Sequence, residues 1–346
     1  VHIDDTGANA WRTFPYASIR TELVLPFATT GLHTWHPFPR HTDLAVSLWG
    51  YNPSGMENKY RCCFFSTCTL IITDRPMTDS FGRQINYLRI SVTDRCNLRC
   101  IYCMPAEGVP PVAHEQLLSY EEILAFTRYA VSRGISKVRL TGGEPLVRKG
   151  ITGLVRSLAG MEGIKDLAMT TNGILLTAMA VELKEAGLHR LNISLDTLDP
   201  EKYRQLTRGG DVNKVLQGIR TAKKAGFGGA GSPLKLNCVL LPETGEDELA
   251  RLRDFAREEG LKLRLIQYMD LKNGSFTRVD GGDGGDCPRC NRLRLTSTGM
   301  LKPCLFSNTG YDIRKLGAAK ALDTALLEKP GAGTFNSCET FNYLGG

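Results

Sequence analysis

The chain has 346 residues, 42% of them hydrophobic and 23% charged, which excludes wholesale disorder and, at roughly 150 residues per domain, allows one large domain or two ordinary ones. No stretch approaches the roughly 18 uninterrupted apolar residues of a membrane span, and nothing at the start reads as an export signal, so the expected location is cytoplasmic. A net charge of +7 suits an anionic ligand, but no basic stripe interleaved with aromatics is present, so neither nucleic acid nor membrane is expected as a partner.

Residues 1–76 hold all three tryptophans, four of the six histidines, and six basic against six acidic residues, without sustained helical or alternating pattern. The whole excess charge therefore belongs to 77–346. Cys62, Cys63 and Cys68 lack a second ligand pair at a supporting distance and read as free thiols rather than a metal site. Ordinary globular texture begins at Met77, so 1–76 is expected to be an atypical extension outside the functional protein.

Regular alternation starts at strand 88–92 and continues through helix 120–132, strand 137–140, a helix near 151–158, strand 166–170 and helix 176–185. It goes on through strand 189–195, helix 212–224, strand 234–241, helix 246–259 and strand 262–268. Gly134, Gly187, Gly226 and Gly260 stand where helices should stop. Six strands alternating with helices imply parallel βα units, in either an open three-quarter barrel or a doubly wound sheet. In both, chemistry gathers at the carboxyl ends of the strands. After this 77–270 unit, residues 271–286 contain five glycines and read as a flexible linker, leaving 287–346 as a small second region.

Eleven cysteines, odd in number and clustered in a chain too long to need disulfide staples, point to metal chemistry in a reducing compartment. Cys96, Cys100 and Cys103 lie just after the first regular strand. Three thiolates in that spacing can hold an iron–sulfur centre and leave one position open for a ligand, whereas zinc normally takes four. Cys287, Cys290 and Cys304 form a second triplet, open to two readings: another open cluster, or a zinc knuckle completed by Cys338. Arg292 and Arg294 follow it in an extended stretch that puts both guanidiniums on one face, a geometry suited to phosphate or carboxylate.

The Cys96–Cys103 motif, with Gly142-Gly143-Glu144-Pro145 after the next strand, resembles the radical S-adenosylmethionine (SAM) superfamily. The stretch Asp79–Pro105, the second cysteine triplet and the terminal Gly345-Gly346 resemble, within it, the GTP 3′,8-cyclase family that opens molybdenum cofactor biosynthesis. The resemblance implies an incomplete (β/α)6 TIM-like barrel with a small C-terminal iron–sulfur region, and a lyase without a general acid or base. It implies two [4Fe-4S] clusters, on Cys96, Cys100 and Cys103 and on Cys287, Cys290 and Cys304, together with SAM. Tyr102, Gly143, Ser194 and Met269 would then line the SAM site. Arg89, Arg139, Thr170, Lys235, Arg292 and Arg294 would bind GTP, with Lys137 and Arg264 as supporting basic residues. Implied partners are GTP, an electron donor and the cyclic pyranopterin monophosphate synthase acting next; a homodimer is left open.

Two departures stand out. The 271–286 linker is several dozen residues shorter than in that family, although sixteen flexible residues still reach roughly 20–24 Å. Residues 226–232 also insert before Lys235 and could shift its register. The alternatives are another auxiliary-cluster radical SAM enzyme, such as a peptide maturase, and a non-catalytic metal-binding remnant.

Overall fold

The computed structural model describes residues 19–20, 45–51, 57–63, 77–229, 234–337 and 341–344. The chain divides into two units, 1–75 and 76–346. The first contains an antiparallel sheet of β1 (Ile19–Arg20), β2 (Ala45–Tyr51) and β3 (Glu57–Cys63) in that order. No element is expected there from the sequence, yet β2 carries Val46, Trp49 and Tyr51, all strand formers, and Asn52-Pro53 with Gly55 between the strands are turn formers. Cys62 and Cys63 fall in β3, while Cys68 lies outside the described residues.

The second unit alternates as anticipated: β4 (Tyr87–Ser91), α1 (Tyr120–Ser132), β5 (Lys137–Thr141), α2 (Ile151–Ala159), β6 (Asp166–Thr171), α3 (Leu176–Glu185) and β7 (Arg190–Ser194). There follow α4 (Pro200–Thr207), α5 (Val212–Lys224), β8 (Lys235–Leu240), α6 (Glu246–Glu258) and β9 (Lys262–Gln267). Helix α4 escapes the periodicity reading because it is short, but its Asp199 cap and Pro200 in the first turn are ordinary start signals. The C-terminal region adds β10 (Arg292–Leu295), β11 (Met300–Lys302), β12 (Tyr311–Asp312), α7 (Ile313–Leu327) and α8 (Phe341–Leu344).

Strands β4 to β9 pair in parallel in sequence order, the open partial barrel rather than the doubly wound sheet. The C-terminal region is not a separate body: β10 pairs in parallel with β4, and β11 and β12 continue the sheet beyond it. Leu88 and Ile90 of β4, Val138 and Leu140 of β5, and Leu293 and Leu295 of β10 are buried in the core that packs the sheet under α1, α2, α3, α5 and α7. Period-two alternation sends the intervening Tyr87, Arg89, Arg139, Arg292 and Arg294 to the opposite, concave face. Among the described residues no helix is long and apolar enough to cross a membrane.

The glycine-rich 271–286 segment is folded onto the barrel rather than a free connection. Leu265 and Asp280 bond in an antiparallel bridge, as do Asp270 and Ser275. Leu271 is buried with Phe306 and Leu344 in a small second core, and Phe276 stacks on Phe306 at 4.3 Å between ring centroids. Gly285, at φ +76°, shows why composition misleads here: a Cβ would lie 2.1 Å from the Thr277 carbonyl oxygen. Glycine permits this compact loop rather than a flexible one. The insertion at 226–232 falls partly outside the described residues, and Lys235 nonetheless stays in register with Asn192 and Lys262.

Candidate active site

The first cysteine loop leaves β4 at its carboxyl end and is held from the far side of the barrel. Arg99 N and Ile101 N donate to the carbonyls of Thr207 and Leu206 at the end of α4. Arg208, the one non-glycine with positive φ among the described residues, donates from Nη1 to the carbonyls of Arg99 and Met104, both at 2.9 Å. Asn172, just past β6, reaches Cys96 Sγ at 3.9 Å and Asn97 Oδ1 at 2.8 Å.

The Gly142-Gly143-Glu144 turn packs against this loop's stem. Gly143 N donates to the Thr93 carbonyl and Glu144 N to that of Arg95, both at 2.8 Å. A Cβ on Gly143 would meet the Arg95 oxygen at 2.3 Å, so the glycines serve first to let two backbones touch. Glu144 is buried and accepts from Leu146 N, Thr171 Oγ1 and Asn172 N. Burial pushes its carboxyl up to about 7 against those three bonds. Asp196, after β7, accepts from the Tyr102 hydroxyl at 2.6 Å and Val239 N at 2.8 Å, and burial raises it to about 6.

Deeper in the barrel, three arginines stand in register: Arg294 of β10 opposite Arg89 of β4, opposite Arg139 of β5. Two residues earlier, Arg292 pairs with Tyr87, and the guanidiniums of Arg139 and Arg292 lie 5.5 and 5.7 Å from the centroid of the Tyr87 ring. The Asn192 amide is oriented by its neighbour, its oxygen accepting from both terminal nitrogens of Arg139 at 2.9 and 3.3 Å. Burial and mutual repulsion act together on this set. Arg89 is held well below its usual range, Arg294 is lowered to about 10 by burial and Arg292, and Lys235 falls to about 8 through burial and Arg264. Among the described residues, the buried Tyr87 hydroxyl, Arg264 Nε and Asn237 Oδ1 find no hydrogen-bond partner.

All six cysteines border one cavity of about 350 Å³, together with Tyr102, Gly143, Ser194, Met269, Arg89, Arg139, Thr170, Arg264, Arg292 and Arg294. Two anticipated residues are left out of its wall. Lys137 is exposed at the first position of β5, where the strand has only just entered the sheet. Lys235, likewise first in β8, is half-buried below Asn237, which does reach the cavity. Sequence reasoning missed Tyr87, Asn172, Asn237, Phe276 and Phe306, all on the wall. Alternation with Arg89 could have signalled Tyr87; the others depend on pairings that only the fold creates.

The two cysteine triplets sit in opposite electrostatic surroundings. Burial raises Cys96 and Cys100, and Glu144 and Asp196 add to the rise. Burial also pushes Cys290 up, but Lys329, the Arg292 N–H and the nearby arginines outweigh it and leave that thiol below its ordinary value. Cys304 stays raised by burial. Among the described residues no three histidine, cysteine or carboxylate groups converge on a single-ion site, and Cys338, the fourth ligand a zinc knuckle would need, lies outside the described residues. A polynuclear centre binds each thiolate to a different iron and so asks only that three thiols border one space; the thiols of both triplets border the cavity.

The family model of the radical SAM superfamily matches residues 90–256. The chain is 44% identical over 295 residues to the GTP 3′,8-cyclase of Moorella thermoacetica, spanning 72% of this chain and 90% of the relative. It is 43% identical over 286 residues to the GTP 3′,8-cyclase of Geobacter sulfurreducens, spanning 69% and 86%. Among solved structures it is similar in fold to Streptococcus suis SuiB bound to S-adenosylmethionine, with a TM-score of 0.55 and 16% identity over 70% of this chain and 66% of that one.

Proposed function

The chain belongs to the GTP 3′,8-cyclase family of the radical SAM superfamily, and on that premise we propose that it converts GTP to 3′,8-cyclo-7,8-dihydro-GTP, the opening step of molybdenum cofactor biosynthesis. The observation that carries this reading is the single cavity onto which both cysteine triplets and the arginine row open. Cys96, Cys100 and Cys103 would hold one [4Fe-4S] cluster with SAM, and Cys287, Cys290 and Cys304 a second. With SAM bound, the centre on Cys96, Cys100 and Cys103 would supply radical chemistry for removing hydrogen at ribose C3′ so that C3′ can bond guanine C8, the electron and proton that complete the dihydro product coming from the external donor and solvent.

The chain's own contribution is binding, orientation and exclusion of water. Charge is segregated: the buried carboxyls of Glu144 and Asp196 lie behind the first triplet, near Cys96 and Cys100, where SAM would sit, and Arg89, Arg139, Arg264, Arg292 and Arg294 line the part of the cavity that would take the triphosphate. Guanidinium forks suit phosphate oxygens, and a polyanion would relieve the repulsion among them. Fixing both ends of the nucleotide makes the meeting of C3′ and the adenosyl carbon effectively unimolecular. Phe276 stacked on Phe306 closes the wall beside Cys304 and limits water. No proton-transfer group is needed at C3′. An external one-electron donor and an enzyme consuming the cyclised nucleotide complete the reading.

Anaerobic incubation of the reconstituted protein with SAM, dithionite and GTP, followed by mass spectrometry, tests the assignment. The cyclised nucleotide is expected. Cleavage of SAM that ignores GTP but responds to a peptide would favour a maturase, and reconstitution with zinc but no iron would favour a non-catalytic protein.

A further inference from the structure

Lys329 is buried, at 2% exposure, deep in the C-terminal region, and no sequence motif singles it out. Its ammonium donates to two carbonyls, Arg292 at 2.8 Å and Pro303 at 2.6 Å, and stands near the Cys290 thiol. Arg292 lies two residues beyond Cys290, and Pro303 immediately precedes Cys304. One cation therefore joins the segments carrying two members of the second triplet.

The third member is tied to the same strap from behind. Arg83, ion-paired through Nε to the buried Asp79 at 2.6 Å, donates to the Cys287 carbonyl at 2.8 Å and to the carbonyls of Pro330 and Gly331 at 2.7 and 2.9 Å. The strap then runs past Cys304: Thr334 N donates to the Phe306 carbonyl, and a Cβ on Gly333 would sit 3.3 Å from Cys304 Sγ. A buried ammonium costs free energy unless its surroundings compensate it, and the two carbonyls it reaches do part of this.

We propose that Lys329 is the positioning residue of the second cysteine triplet, holding the Cys290 and Cys304 segments in place and presenting a fixed positive charge to an iron–sulfur centre bound there. This rests on the two-cluster reading given above. Anionic thiolates and a cluster that gains an electron on reduction are both favoured by an adjacent cation, so the charge serves retention of the cluster and raises its reduction potential. Removing the ammonium also leaves the Arg292 and Pro303 carbonyls without their donor.

The test compares wild type, Lys329→Met and Lys329→Gln after anaerobic reconstitution, reading iron and sulfide per chain, the electron paramagnetic resonance of each reduced centre, and the midpoint potential of the second. Wild type should carry about eight irons, as two [4Fe-4S] centres require. Lys329→Met should lose about half of them and the second signal, while the SAM-responsive signal of the first centre persists. Lys329→Gln, which keeps a donor without the charge, should retain more iron and show a more negative second midpoint. A folded Lys329→Met with wild-type iron and an unchanged midpoint overturns the proposal. Should that variant not fold, an unchanged midpoint in Lys329→Gln overturns it instead. A wild type with only half the iron would refute the two-cluster reading itself, a result separable from either.

Discussion

Arg294 stands directly opposite Arg89 in the parallel pairing of β10 with β4, two like charges adjacent on neighbouring strands with Arg139 next in line. Like charges facing one another across a sheet are destabilising; Arg89 is pushed below the usual arginine range by burial and Arg294, and Arg294 by burial and Arg292. The arrangement makes sense when a polyanion occupies the cavity.

Arg294→Met should therefore weaken GTP binding. Loss of one charge-assisted contact, about 1.5–3 kcal/mol, corresponds to about a ten- to hundredfold weaker Kd. Calorimetric titration of the variant with GTP checks this, and an unchanged Kd would contradict it.

Lys235 carries the pH dependence. Its pKa near 8 in the free protein follows from burial and from Arg264, Arg190 and Arg139. A bound triphosphate favours the protonated form and raises that value. Affinity should thus be full below pH 8 and fall above it, by at most about tenfold per pH unit for one linked proton. Lys235→Met should bind more weakly at pH 7.5 and lose this component of the slope between pH 8 and 9, measured by titration at constant ionic strength.

Two glycines make a matched pair. Gly143→Ala forces a Cβ to 2.3 Å from the Arg95 carbonyl oxygen, and overpacking of that kind costs about 1–3 kcal/mol. Gly153, inside α2, has nothing within 4 Å of an added Cβ, so Gly153→Ala should stabilise by about 0.5–1 kcal/mol. Denaturant unfolding of the two variants should shift in opposite directions. Only the first should also lose iron from the Cys96 loop, whose stem it displaces.

Arg208 supports the same loop from α4 through the carbonyls of Arg99 and Met104. Arg208→Ala should lower iron retained by the first triplet after gel filtration while leaving the second centre's signal intact. Equal loss at both would mean that the substitution acts through global stability.

Much of the fold was legible because hydrophobic period, helix-ending glycines and β-branched runs agree locally: the helices over 120–132, 176–185 and 212–224 match the structure to the residue. Both cysteine triplets could be picked out as groups because thiol spacing carries its own chemistry, and all six thiols border the cavity. What could not be read was pairing between distant segments. Nothing in Arg292–Leu295 alone reports that it joins β4, and without that pairing Arg292, Arg294 and Tyr87 cannot be seen as one surface. Lys137 and Lys235 fall outside the cavity wall for a related reason. Alternation gives the face of a side chain but not its depth along the barrel, and both lie at the first position of their strands. The 271–286 loop was misread because glycine content signals freedom and tight packing alike, and only contacts such as Gly285 against Thr277 distinguish them.

The central claim is that one nucleotide spans the cavity with its ribose at the first triplet. Turnover with GTP deuterated at C3′ tests this most directly, by mass analysis of the 5′-deoxyadenosine formed. Deuterium recovered in 5′-deoxyadenosine, in step with cyclised product, is the predicted result. Unlabelled 5′-deoxyadenosine released at the same rate with or without GTP would contradict it.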